Sequence, residues 1–456
     1  MKLFIGINVF LILGAGLLPA SAQIRPIDEG EHPCIESWWT VFDDPLLDSL
    51  ESLGLQRNLD LQIMLARVEE ARARIRLAQS HQYPSIHLNP YFASQSLSPN
   101  RPTTTAMEEG RELQRFSLQT YQVPLDLSYE LDLWQRIKRQ VKGETHLKEA
   151  TEAELQAVAL SLSSEIARFY FLLRTVDAEQ AVVQRGISLR DSTLKIAEAR
   201  YAAGLVSHMD VQRAETEVAN AMVQLEELNR SRKEMELSLA VLLGINPADI
   251  SIEKGQLPLM LPRIPVPAEA ELALNRPDLR QAERMLASTN SQVAVQKAAR
   301  LPRLHLLGSA GFLSREVSQV FSSTSGTYLL GASISLPLFE GFRNQSQIAI
   351  AQRQVEMAES GFQQHYLTAL REVKSAVDNL EVLSRQVQVQ QQALQSAQTT
   401  RLYARELYIK GLTSFLEAID AERTALELER QAVNLKGQQV LYTLALIKAS
   451  GGKIRN

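Results

Sequence analysis

Ser192 and Lys195 stand three residues apart, a spacing at which a lysine amine can activate a serine nucleophile for acyl transfer. Leu194, however, falls on an apolar heptad position, which leaves both polar groups on an ordinary helix flank. Metal chemistry has even less to work with. The seven histidines, at 32, 81, 87, 146, 208, 305 and 365, include no pair three or four apart, and the one cysteine, Cys34, stands near His32 alone, so no zinc-type ligand set is written into a helix face. No glycine-rich phosphate loop occurs. The reading is therefore a protein that is not an enzyme, with no cofactor and no metal. Forty-eight basic and 52 acidic residues nearly balance, and without a clustered basic face nucleic acid is not an expected partner.

What the chain offers instead is repetition. Leu131 to Asp210 and Leu338 to Glu417 align at a constant offset of 207, with Tyr201-Ala202-Ala203-Gly204-Leu205 answered by Tyr408-Ile409-Lys410-Gly411-Leu412. A period this long marks a duplicated half-protein, not a solenoid unit. Heptad positions from Leu155 to Tyr201 are apolar at twelve of fourteen places, the exceptions being Gln180 and Arg190. Their counterparts from Phe362 to Tyr408 are again apolar at twelve of fourteen, interrupted by Gln390 and Arg401. Seven heptads in register specify a coiled-coil-like seam. All seventeen prolines lie outside 125–246 and 338–456, and because an interior proline costs a helix about 3 kcal/mol, both tracts are free to be helical. Each tract breaks once, at Tyr-x-x-Gly-Leu, where glycine can take the left-handed conformation that ends a helix. The expected long helices are about 136–201 and 206–243, then about 340–408 and 413–445. The glutamine-rich run 386–398 keeps Val387 and Leu394 in register, as a solvated or lumen-facing surface would.

Before each tract the period changes to two. Ile86, Leu88, Pro90 and Phe92 alternate with other residues, as do Leu125, Leu127, Tyr129 and Leu131. In the second half Leu304, Leu306, Gly308, Ala310 and Phe312 do the same, followed by Tyr328 through Leu338. These predict strands at about 84–94, 116–133, 302–313 and 327–338, each with one apolar face. Such segments suit tilted transmembrane strands, or a soluble sheet packed on the helices. Four strands cannot close a barrel, and an open edge cannot face lipid. Two chains would pool eight strands and three would pool twelve.

Met1–Ala22, with Lys2, an apolar run and Ala20-Ser21-Ala22, reads as a secretory signal. After it no run of 18 apolar residues occurs. Cys34, twelve positions past Ala22, is poorly placed for lipidation. The halves are 23–247 and 269–456, joined by a proline-rich linker at 248–268.

Several ordered motifs together carry a resemblance. They are Trp38-Trp39, Phe42, Asp44-Pro45-Leu46 and Asn58-Leu59-Asp60-Leu61, then Arg200-Tyr201, Gly204-Leu205-Val206-Ser207, Asp210-Val211 and Leu243-Gly244. Arg276-Pro277-Asp278-Leu279, Pro337-Leu338-Phe339, Gly341-Phe342-Arg343 and Tyr408-x-x-Gly411 continue the series. In this order the chain resembles the TolC and OprM-type outer-membrane efflux channels. The resemblance implies an α+β membrane protein in which four transmembrane strands per chain form a twelve-stranded barrel shared by a homotrimer. That barrel would continue into a long helical tunnel in the periplasm, girdled by an equatorial belt that includes about 23–53. It implies a cell outer membrane location in contact with lipid, and passive conduction of drugs or other small molecules. Its partners would be a periplasmic membrane-fusion adaptor and an inner-membrane pump, proton-driven. A type I secretion or metal-efflux duct is the alternative within the family, and an exported coiled-coil structural or adhesive protein the alternative outside it.

Two sets of site residues follow from the resemblance. Gly204, Leu205, Val206, Ser207, Gly411, Leu412, Thr413 and Ser414 match the tip that adaptor hairpins grip. Leu416 and Asp420 match positions that narrow the periplasmic entrance, with Arg423 three residues on and Arg213, the repeat counterpart of Asp420, as candidates to neutralise it.

Overall fold

The computed structural model describes residues 37–99 and 115–453, except 259, 263, 267, 269–271 and 273–274. The signal segment and Cys34 lie outside the described residues, which all belong to one unit, 35–456. A short 3-10 turn, Trp38–Phe42, leads into α1, Pro45–Arg57. The Asp44 carboxylate caps α1 by accepting from the amides of Leu46 and Leu47, and Pro45 occupies the first turn, where its missing N–H costs nothing. Then come α2 (Leu59–Ser80), α3 (Arg136–Ala202), α4 (His208–Leu242), α5 (Pro277–Ala298), α6 (Arg343–Ile409) and α7 (Phe415–Ala449). At 67 residues each, α3 and α6 run for roughly 100 Å.

Helix ends differ from the sequence expectation where backbone conformation intervenes. α6 starts at Arg343, not near 340, because Gly341 (φ 58°) and Phe342 (φ 67°) hold the chain in the left-handed region first. α7 continues to Ala449, past the expected 445. The four polar exceptions in the heptads each find a partner. Gln180 donates to Asn229 at 3.1 Å, and Gln390 to the Leu428 carbonyl at 3.0 Å. Arg401 lies 3.5 Å from Glu429, and Arg190 within 4 Å of both Glu217 and Glu422. Burial is unequal between the halves. Most of the first seam is buried, whereas α6 buries only Ala351, Ala369, Val373, Ala376, Leu383 and Tyr408 and exposes Ile350, Met357, Leu367, Val382, Val389 and Leu402.

The largest apolar core gathers Trp38, Trp39, Phe42, Leu47 and Leu50 with Tyr170, Phe171 and Leu173 of α3. Leu239 of α4 and Val440, Leu444 and Ile447 of α7 complete it. Near it the duplication shows again, as two end-to-end helix junctions. Asn58, which caps α2, donates to the carbonyl of Leu242 at 2.9 Å, and Arg276, which precedes α5, donates to that of Ala449 at 3.1 Å. Leu242 and Ala449 are repeat counterparts, as are Gly244 (φ 64°) and Gly451 (φ 81°) just beyond them. Each glycine lies against the backbone of the next helix's approach, where a Cβ would collide with the carbonyl of Arg57 or of Asn275. Arg276 also pairs with Asp278 at 2.7 Å and Glu372 at 2.8 Å.

The sheet has the order β1-β3-β4-β5, with β2 also on β3. β1 (Ser85–Leu88) and β2 (Tyr91–Leu97) are two parts of the first expected strand, interrupted at Asn89-Pro90. The interruption lies at the level of Pro124 in β3 (Phe116–Leu131), which has no N–H to donate but accepts from the Asn89 amide at 3.2 Å. On its other side Pro124 faces Gly311 of β4 (Arg303–Ser314). β5 (Gly326–Ser335) stops before the expected 338, since Pro337 cannot continue a ladder.

Candidate functional site

The register of the sheet decides which residues share a face. Ile86 pairs with Leu127, Leu88 with Leu125 and Phe92 with Tyr121. Leu127 then pairs with Gly308 and Tyr129 with Leu306, while Gly308 pairs with Leu330 and Leu304 with Ile334. Directly opposed residues project to the same side of a sheet, so the apolar alternations of all the strands fall on one face. His87, Asp126, Ser309, Glu130 and His305 lie on the other. Asp126 there accepts from Ser309 at 2.8 Å and Asn89 at 3.2 Å, and Glu130 is held by Arg136. The apolar face is exposed on β1, β2 and β5 and half-buried over most of β3 and β4. Every residue of β5 is exposed, with Tyr328 at 80 % and Leu330 at 82 %. Among the described residues no helix is long and apolar enough to cross a membrane.

At the far end of α3 and α6 the two Tyr-x-x-Gly-Leu turns form the second half of the site. Gly204 has φ 73° and Gly411 φ 76°. The amide of Leu205 closes on the Arg200 carbonyl and that of Leu412 on the Leu407 carbonyl, both at 2.9 Å, the six-residue closure that terminates a helix with glycine. Returning helices start on serine caps, Ser207 accepting from the Met209 amide and Ser414 from the Glu417 amide. Thr413 also donates to the Glu417 carboxylate. Leu205 (68 %) and Leu412 (71 %) project into solvent, Val206 and Thr413 are half-buried, and the serines are exposed.

Each turn contains an edge-on aromatic pair at repeat-equivalent positions, Tyr201 with His208 and Tyr408 with Phe415. Only the second is buried, in a small core with Ala197, Val211, Ala214, Ala418 and Ile419. Arg200 of the first hairpin supplies the tie. Its guanidinium donates to the Tyr408 carbonyl and lies 4.8 Å from the Tyr408 ring centre, joining the end of α3 to the end of α6.

Leu416 and Asp420, one turn apart on α7, are both exposed. Both candidate arginines have other partners in the structure, although the Asp420 charge still acts on Arg423. Arg423 is hydrogen-bonded to Glu217 of α4, Arg213 lies 3.9 Å from Asp210, and Asp420 has no ion-pair partner among the described residues. The physical reason is burial. Glu217 is only 5 % exposed, and a buried carboxylate needs a counter-charge that an exposed one obtains from water. The hydrogen bond from Arg423 holds the Glu217 carboxyl below its usual range; burial opposes this, and the charges of Arg423 and Arg190 add to it. Beside this pair lies a cavity of about 560 Å³ lined by Arg190, Glu217, Arg423 and Arg430. Ser192 and Lys195 stay apart from each other: Ser192 donates to the Ser188 carbonyl and Lys195 to Asp191.

Sequence reading missed Arg200, Glu217, Asn58 and Arg276 as linchpins. For Arg200 and Glu217 the available signal was departure from the repeat, since Arg200 answers Leu407 and Glu217 answers Thr424; Asn58 and Arg276 stood only among the motif residues. A residue needed between the halves has no reason to be duplicated.

Known proteins place this architecture. The structure superposes on the outer membrane protein VceC of Vibrio cholerae with a TM-score of 0.83, at 26 % identity, over 91 % of this chain and 98 % of that one. It matches the outer-membrane channel OprN with a TM-score of 0.85, at 27 % identity, over 94 % and 96 %. The solvent efflux pump outer membrane protein SrpC of Pseudomonas putida is 28 % identical over 412 residues, 90 % of this chain and 86 % of that protein. The cation efflux system protein CusC of Escherichia coli is 26 % identical over 424 residues, 91 % and 88 %. The family model described as outer membrane efflux protein matches residues 50–245 and 270–452, and the chain belongs to that family.

Proposed function

We propose that this chain is the outer-membrane exit duct of a tripartite efflux system, passing drugs or other small molecules handed on by an inner-membrane pump through a periplasmic adaptor. The single observation that carries the reading is the one-sided sheet. A soluble cap on an exported coiled coil would bury its apolar face on the helices, yet here Ile86, Leu88, Phe92, Leu125, Tyr328, Leu330 and Ile334 of that face are exposed, and its members on β4 are at most half-buried. Lipid is the solvent that suits it, with the polar face of Asp126 and His305 lining a water-filled lumen.

Oligomerisation follows from the edges. β1 and β2 at one side and β5 at the other have no outer neighbour among the described residues, and unpaired backbone groups are not tolerated in hydrocarbon. Three copies give the twelve-stranded barrel of the resemblance, and the exposed apolar stripe on α6 supplies the helical counterpart of that contact. The two turns, with Leu205 and Leu412 outermost, form the adaptor-gripping tip. Three copies of Leu416 and Asp420 narrow the entrance. The protein should fractionate with outer membranes and give a trimer mass in detergent; a stable, folded monomer would contradict the reading.

A further inference from the structure

Glu51 occupies the place of a core residue. Leu47, Leu50, Glu51 and Gly54 form the i, i+3, i+4, i+7 stripe by which α1 is buried. Glu51 is 0 % exposed, and among the described residues neither carboxylate oxygen has a well-formed hydrogen bond, the Ala167 backbone being the one donor group near it. One turn earlier, Asp48 also carries a buried, unpartnered Oδ1. The stripe faces α3, where Ile166 meets Gly54. Among the described residues no counter-charge faces it there. α3 brings the Ala167 backbone, while its Tyr170 is bonded at 2.5 Å to Asp44 and Arg174 lies over the Tyr170 ring. The 3-10 turn contributes Trp38, Trp39, Thr40, Val41 and Phe42, and Asp60 of α2 is exposed.

An ionised carboxylate cannot be held in such a site without a partner, whereas a neutral acid can. We propose that α1 is a proton-dependent latch: with Glu51 neutral it is seated on α3, and loss of that proton as pH rises lifts α1 together with the Trp38–Phe42 turn. That turn shares one core with Leu47 and Leu50, so the two move as a unit. Both lie in the stretch that the resemblance assigns to the equatorial belt. The electrostatics agree in direction. Burial raises the Glu51 carboxyl well above the usual glutamate value, the Ala167 backbone opposes this, and the Asp48 charge adds to the rise. Because the folded state holds the proton more tightly than the unfolded chain, the seated form is favoured most below the ordinary glutamate value. It is lost as pH climbs through the raised one.

The test uses the full chain in detergent with Trp134→Phe, so that fluorescence reports on Trp38 and Trp39. On raising pH from the acid side of the ordinary glutamate value, the parent should show a reversible red shift and faster amide exchange across 45–57. Glu51→Gln should stay flat, and Asp48→Asn should move the midpoint to lower pH, since one repelling charge is gone. Infrared difference spectra between the parent and Glu51→Gln on the acid side of the parent transition should contain the carbonyl stretch of a protonated acid. The latch is overturned if Glu51→Gln keeps the parent transition, if the parent shows none, or if that stretch is missing. A transition abolished by chelator would also overturn it, by assigning the two carboxylates to a bound cation.

Discussion

Replacing Arg200 with alanine removes the one side chain seen to join the two tip turns by a hydrogen bond and a ring contact together. Its hydrogen bond to the Tyr408 carbonyl is charge-assisted, of a kind that contributes about 1.5–3 kcal/mol. The guanidinium over the Tyr408 ring adds about 0.5–1 kcal/mol at a partly exposed site. Together they amount to roughly 2–4 kcal/mol of local stability, or a thirty- to thousandfold change in the opening equilibrium of the second turn. The amides of Gly411 and Leu412, bonded to the Tyr408 and Leu407 carbonyls at 3.0 and 2.9 Å, report that opening directly by hydrogen exchange. Their exchange should accelerate by that factor in Arg200→Ala. The amides of Gly204 and Leu205 should not change, because they bond to backbone carbonyls of the first hairpin, which the substitution leaves in place. Arg200→Lys should recover only part of the protection, since an ammonium lacks the planar fork. If Gly411 and Leu412 exchange at the parent rate in Arg200→Ala, the tie is not a source of tip stability and the reasoning fails.

Leu416→Ala combined with Asp420→Ala should raise single-channel conductance in planar bilayers and make cells leakier to large antibiotics, while Gln391→Ala should do neither; unchanged conductance would move the constriction elsewhere. Acidification should loosen α4 from α7 near the tip. The lowered Glu217 carboxyl supports their pairing above the ordinary carboxylate value and ceases to as pH falls through its own lowered one, so the faster exchange across 211–225 that acid brings should vanish in Glu217→Gln. Gly204→Ala should cost about 1–2 kcal/mol for its left-handed φ alone, with open space around the new methyl. Gly244→Ala adds a collision with the Arg57 carbonyl to the same conformational cost, and should lose heat-resistant oligomer on gels at a temperature that Gly204→Ala survives.

Much of the fold was written locally. The 207-residue offset, the heptads from Leu155 and Phe362 and the absence of interior prolines are properties of neighbouring residues, and they fixed long helices broken at Gly204 and Gly411. Alternation fixed strands for a similar reason, because a side chain's face depends only on its parity along the strand. Parity alone could not say whether the apolar faces of separate strands coincide. The pairing of Leu127 with Gly308 and of Gly308 with Leu330 settled that, and pairing is a long-range event. Tertiary structure likewise decided the charges. From sequence, Arg423, three residues from Asp420, is one candidate to neutralise it beside Arg213, and folding brings it to Glu217, 206 residues away and buried. The same holds for Glu51, an ordinary acid on paper whose lack of a counter-charge among the described residues is visible only once α1 is seated on α3. Local pattern specifies what each segment becomes, because conformation answers to adjacent residues. Which side chains meet between segments depends on packing, and there a buried charge takes the counter-charge within reach in space, whatever its distance along the chain.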